Sequence, residues 1–190
     1  MAPIALFLVC FYSFTKRFTD YSHVFLGVAL ALAPIGAWMA VKGDTMTELF
    51  QLLPLSRSLL PPLLLGAAVV FWLIGFDVIY SLQDYEFDRA HGLHSLATGW
   101  GPKNALMAAF LSHMIMWGIL VLYGLLLGRP VAYSVGLLII MFCLALEHWL
   151  ARKRKTKWIN VAFFRLNALI STVYFISVAT QIVFPFFSRM

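Results

Sequence analysis

The chain has 190 residues, 62% of them hydrophobic and 12% charged, with a mean hydropathy of +0.88. A soluble domain carries about twice that charge fraction, which excludes a water-soluble globule. The net charge of +6 reports orientation in a membrane rather than nucleic-acid binding.

Apolar runs at bilayer length predict an all-α fold, a polytopic transmembrane helical bundle. Six segments are expected, over 2–15, 23–42, 60–83, 104–127, 131–150 and 160–186. The first, MAPIALFLVCFYSF, offers about fourteen apolar residues before Lys16-Arg17, against the roughly twenty of a full span. It has no basic region ahead of it and no small-residue cleavage site after it, so it does not read as a signal peptide. It reads as the tail of a span whose beginning is missing or shortened. Pro34 falls inside the second segment, where neighbouring helices can satisfy the freed backbone. Lys42-Gly43-Asp44, Gly99-Trp100-Gly101-Pro102 and Gly128-Arg129-Pro130 supply turn chemistry between segments, and Pro102 suits a first helical turn. Cys10 and Cys143 lie in apolar runs and read as buried thiols, with no disulfide or metal role.

Threading six spans puts Lys16, Arg17, Arg89, Lys103, Arg165 and the basic run at 152–157 on one side. Lys42, Arg57, Arg129 and Arg189 fall on the other, a split of 10 against 4 that makes the first side cytoplasmic. The run RKRKTK reads as a positive-inside anchor, and Trp100, Trp149 and Trp158 as interface anchors. This threading leaves Met1 outside without a basic flank, an awkwardness that an odd number of upstream spans would remove.

The third segment ends in DVIYSLQDYEFD, which holds four of the chain's 8 acidic residues: Asp77, Asp84, Glu86 and Asp88. On one continuous helix the intervals of seven and four return Asp77, Asp84 and Asp88 to nearly one face, with Tyr80 and Ser81 beside them. Glu86 falls off that stripe and reads as solvated. Asp77 lies well inside the apolar run, where an unpaired charge costs at least ~2.5–3.5 kcal/mol. Such a stripe makes sense around a cation: Mg²⁺ held by Asp77, Asp84 and Asp88 with phosphate oxygens completing its shell, or a proton or sodium pathway. Tyr12 and Lys16 share a helix face and, with Arg17, could clamp an anion bridging to those carboxylates. His91 and His94 in the loop HGLHS suit substrate hydrogen bonding at the mouth more than metal binding. Asn167, inside the last segment, is usually interhelical glue and is otherwise a candidate acceptor contact.

Asp77, Tyr80, Asp84 and Asp88 together match the pattern Asp-x-x-Tyr-x-x-x-Asp-x-x-x-Asp, and Tyr12 and Lys16 match Tyr-x-x-x-Lys. On these residues the sequence resembles the UbiA superfamily of intramembrane prenyltransferases, and GFDVIYSLQDYEFDRAHGLHS resembles its 4-hydroxybenzoate polyprenyltransferase branch. The resemblance covers essentially the whole chain. It implies a nine-helix fold of which the six segments are the last six. It also implies a first motif, Asn-x-x-x-Asp-x-x-x-Asp, which is absent from these 190 residues. A single, N-terminally truncated domain over 1–190, with weak or no activity alone, is therefore expected.

By the same resemblance, Asp77, Tyr80, Asp84 and Asp88 would be catalytic. Asp84, Asp88 and Asp77 would hold Mg²⁺, while Tyr12, Lys16 and Arg17 would bind diphosphate. The substrates would be a polyprenyl diphosphate and an aromatic acceptor such as 4-hydroxybenzoate, in ubiquinone or menaquinone biosynthesis. The setting would be a bacterial inner membrane, with the mouth facing the cytoplasm. Naphthoate, homogentisate or haem acceptors remain open alternatives. So does a cation or proton transporter using the acidic stripe.

Overall fold

The computed structural model describes residues 2–42, 59–126, 128, 131–153 and 159–183. The turns expected at 42–44 and 128–130, most of the basic run at 152–157, Trp158 and the end of the sixth segment lie outside the described residues, wholly or in part. So do Arg57, Arg129 and Arg189 of the orientation count.

The six expected apolar segments are all helical. They form α1 (Ala2–Thr15), α2 (Ser22–Lys42), α3 (Leu60–Ser81), α6 (Pro102–Leu126), α7 (Val131–Ala151) and α8 (Asn167–Val183). A π-helical stretch, Val161–Leu166, runs directly into α8. Two short helices not expected from the sequence, α4 (Tyr85–Ala90) and α5 (Leu96–Trp100), lie between α3 and α6. Helices α2, α3, α6 and α7 are long and apolar enough to cross a membrane, while α1 has 14 residues. At 1.5 Å per residue α1 extends about 21 Å, short of the ~30 Å hydrocarbon core.

Helix α3 is the centre of the arrangement, flanked by α2 on one side and α6 on the other. Pro61 and Pro62, within its first turn, start it without cost, because the first N–H groups of a helix have no partner inside it. Backbones approach closely where small residues allow it, as is usual where lipid rather than water surrounds the bundle. A Cβ on Gly27 of α2 would lie 3.0 Å from the carbonyl oxygen of Val70 on α3. A Cβ on Gly75 of α3 would run into the buried ring of His113 on α6.

Behind α3, a buried apolar cluster joins α6, α7 and α8 through Met116, Leu120, Ile140, Leu144 and Ile170. Polar side chains thread the same region. The Nε2–H of His113 donates to the Trp72 carbonyl at 3.3 Å, so its Nδ1 accepts from His148 Nε2–H at 3.0 Å. Asn167 accepts from Trp72 Nε1–H at 2.9 Å and donates to Glu147 Oε1 at 3.2 Å. Asn167 thus ties α3, α7 and α8 together, as interhelical glue does.

Candidate functional site

The segment expected over 60–83 stops at Ser81. Three successive bonds, from Leu82 N to Ile79 O, Gln83 N to Tyr80 O and Asp84 N to Ser81 O, each span three residues and tighten the chain out of the α-helix. Helix α4 then restarts at Tyr85, with Asp84 at its N-cap position but not capping it through its side chain. Asp77, Asp84 and Asp88 therefore do not share one continuous helical face. The stripe inferred from the spacing is broken between its first member and the other two.

Each carboxylate has its own surroundings. Asp77 turns toward α1 and α2. Its Oδ2 accepts from His23 Nδ1–H at 2.7 Å and lies 3.5 Å from the Tyr12 hydroxyl. Asp88, 2% exposed, faces Lys16, whose Nζ stands 3.4 Å from Oδ2. Asp84 is half-buried on the turn between them. Among the described residues no three His, Cys, Asp or Glu side chains gather as an ion-binding group. The three-aspartate metal set read from the sequence is not assembled, because Asp77 is drawn to His23. Asp84 and Asp88 lie one turn apart at the start of α4.

Tyr12 and Lys16 do meet the acidic residues, 65 and 72 positions away in the chain. Arg17 is exposed, with its guanidinium 5.7 Å from the Phe14 ring centroid. Tyr80 is half-buried on the last turn of α3, and Glu86 is exposed. A latch holds the two halves in register. His94 N–H donates to the Lys16 carbonyl at 2.8 Å, and His94 Nδ1–H donates to Asp20 Oδ1 at 2.9 Å. Gly92, at φ 64°, lets the loop turn back toward α1. Ser95 then opens α5 with a reciprocal capping pair to Thr98. His91 is used locally: its Nδ1–H donates to the Phe87 carbonyl at 2.9 Å, and its ring stacks on Phe87. The two loop histidines thus have separate partners. Asn167 takes part in the bracing behind α3 described above.

Sequence reasoning missed His23 and Asp20. His23 is fully buried, and its Nε2 has no recorded partner. The available signal was a Ser-His pair opening an apolar span, since an ionisable group there calls for a partner.

The model of the UbiA prenyltransferase family matches residues 1–169. A 4-hydroxybenzoate octaprenyltransferase from Nitrosomonas europaea is 30% identical over 90% of this chain and 53% of its own length. One from Xanthomonas campestris pv. campestris is 31% identical over 84% of this chain and 52% of its own. The chain spans about half the length of the curated relatives it matches. The apo structure of a UbiA homolog from Aeropyrum pernix K1 superposes with a TM-score of 0.79 at 29% identity, covering 95% of this chain and 62% of that one. With the family model matching residues 1–169 and the helical arrangement shared over 95% of its length, this integral membrane chain belongs to the UbiA prenyltransferase family.

Proposed function

We propose that the chain forms the C-terminal part of an intramembrane prenyltransferase. This enzyme moves a polyprenyl group from its diphosphate to an aromatic acceptor such as 4-hydroxybenzoate, in quinone biosynthesis. The observation that carries this reading is Lys16 set beside buried Asp88 at the helix ends. A cation and a carboxylate in that position can receive a diphosphate, one binding it directly and the other through a divalent ion.

The donor set fits Mg²⁺, which binds through one or two carboxylates and leaves its other positions to water and phosphate. Asp84 and Asp88 would hold it, and when bound it would neutralise charge on the departing diphosphate. Lys16 would bind a phosphate oxygen and stabilise the charge that develops as the allylic C–O bond breaks, assisted by Arg17 and the Tyr12 hydroxyl. Asp77, with Oδ2 already held by His23, would present its other oxygen to the acceptor's hydroxyl or ring proton. Tyr80 would line the same mouth. The bias of Lys and Arg toward this end favours a cytoplasmic mouth in a bacterial inner membrane.

Purified chain in nanodiscs tests this reading. Mg²⁺-dependent binding of a labelled prenyl diphosphate is expected, and it should fall with Asp88→Asn. Turnover with 4-hydroxybenzoate by these 190 residues alone is expected to be weak. Proton or sodium flux through liposomes holding the chain, without diphosphate binding, would overturn the reading.

A further inference from the structure

We propose a second anion site on the flank of the bundle, separate from the carboxylate mouth, that takes the phosphate headgroup of an anionic bilayer phospholipid. Lys103, on the first turn of α6, and Arg152, just past the end of α7, line one cavity of about 380 Å³. Leu106, Met107, Phe110 and His148 complete it, and no carboxylate is among its lining residues. Neither cation forms an ion pair with a described acidic residue. Two like charges sharing a concavity repel unless an anion sits between them. The N-terminal dipole of the 25-residue α6 adds to the positive field there.

The depth and the chemistry of the walls select a lipid over free phosphate. Trp100, two residues before α6, and Trp149, in the last turn of α7, are 47% and 55% exposed, which sets the ends of the two helices that carry these cations at the level of the membrane interface. Lys153 Nζ lies 3.9 Å from the centroid of the Trp149 ring, another cation at that level. From Lys103 the same face of α6 continues through Met107, Phe110 and Leu111, all exposed. A phosphate held by Lys103 and Arg152 would therefore have an apolar track running away from it toward the hydrocarbon, which suits an acyl chain. The edge of the cavity is His148, almost buried and edge-on to Phe110, with its Nε2–H committed to His113. A bound lipid would thus rest on the polar brace between α6 and α7.

Native mass spectrometry of the intact chain released from detergent tests this. One phosphatidylglycerol should be retained at least tenfold better than phosphatidylcholine. The double variant Lys103→Gln/Arg152→Gln should lose that preference, whereas Lys153→Gln, outside the cavity, should keep it. Millimolar inorganic phosphate should not displace the lipid. Hydrogen exchange over residues 103–110 should slow on adding phosphatidylglycerol to the wild-type chain and to Lys153→Gln, but not to the double variant. Equal retention of the two lipids, an unchanged preference in the double variant or equal loss in Lys153→Gln would overturn the site. So would displacement by inorganic phosphate or by a prenyl diphosphate, which would reassign the anion.

Discussion

Gly75→Ala adds one methyl group to the face of α3 that packs on α6. That methyl would collide with the His113 ring, which is fully buried. The ring is held by hydrogen bonds to the Trp72 carbonyl and to His148, and moving it breaks both. Overpacking a tight site costs about 1–3 kcal/mol. Two lost hydrogen bonds add roughly 0.5–1.5 kcal/mol each. Alanine in place of glycine within a helix returns about 1 kcal/mol. The net expectation is a destabilisation of about 3 kcal/mol, the centre of these ranges. Gly36→Ala and Gly118→Ala are matched controls, because a Cβ at either position meets nothing within 4 Å. They should be neutral or gain up to ~1 kcal/mol. Unfolding in mixed micelles with increasing dodecyl sulfate, followed by tryptophan fluorescence, measures all three. Adding His113→Ala to Gly75→Ala should recover part of the loss, since the new methyl then fills vacated space. A Gly75→Ala chain as stable as the two controls would refute the reasoning.

Three further outcomes are expected. Asn167→Ala should destabilise by about 2–4 kcal/mol in the same assay, because it takes a partner from the half-buried Trp72 Nε1–H and from the fully buried Glu147 side chain. His23→Leu should cost roughly 1.5–3 kcal/mol as the Asp77 carboxylate loses its short bond, while His23→Asn, which keeps a donor near Nδ1, should retain more than half of that; equal losses would argue against the bond. Lys16→Met should weaken prenyl diphosphate binding by about 10- to 100-fold, the worth of a charged hydrogen bond, in a nanodisc titration that leaves phosphatidylglycerol retention unchanged.

The apolar helices were legible in the sequence because lipid imposes long apolar runs and backbone self-satisfaction, which leave few alternatives. The expected bounds of α2, α3, α6 and α7 fall within two residues of the observed ones. The acidic stripe was less legible. Spacing by seven and four implies one face only while the helix continues, and nothing in LQD announces the three tightened turns that end it at Ser81. Short helices α4 and α5 escaped because five or six residues carry too little periodicity to stand out. That Tyr12 and Lys16 stand opposite the carboxylates was legible from the motif resemblance, but as a clamp on a bridging anion; their direct pairing with Asp77 and Asp88 was not. His23 was not, since a lone histidine does not name its partner, and only packing brings it to Asp77 across 54 residues. Glu147, His113 and His148 were overlooked for the same reason.

The latch at His94 also bears on biogenesis. The recorded pairings of Tyr12, Lys16, Asp20 and His23 with Asp77, Asp88 and His94 close between residues 12 and 94. None uses a side chain from α6, α7 or α8. During insertion, the groups that make these pairings would therefore all be available once α5 has left the ribosome. The later helices then arrive against the back of α3, where His113 seats on Gly75 and Asn167 locks to Trp72. Assembly would run in two stages, the face that carries Asp77 and Asp88 first and its support second. Truncations after Gly101 should accordingly insert with the latch formed yet lack the bracing that keeps α3 in place.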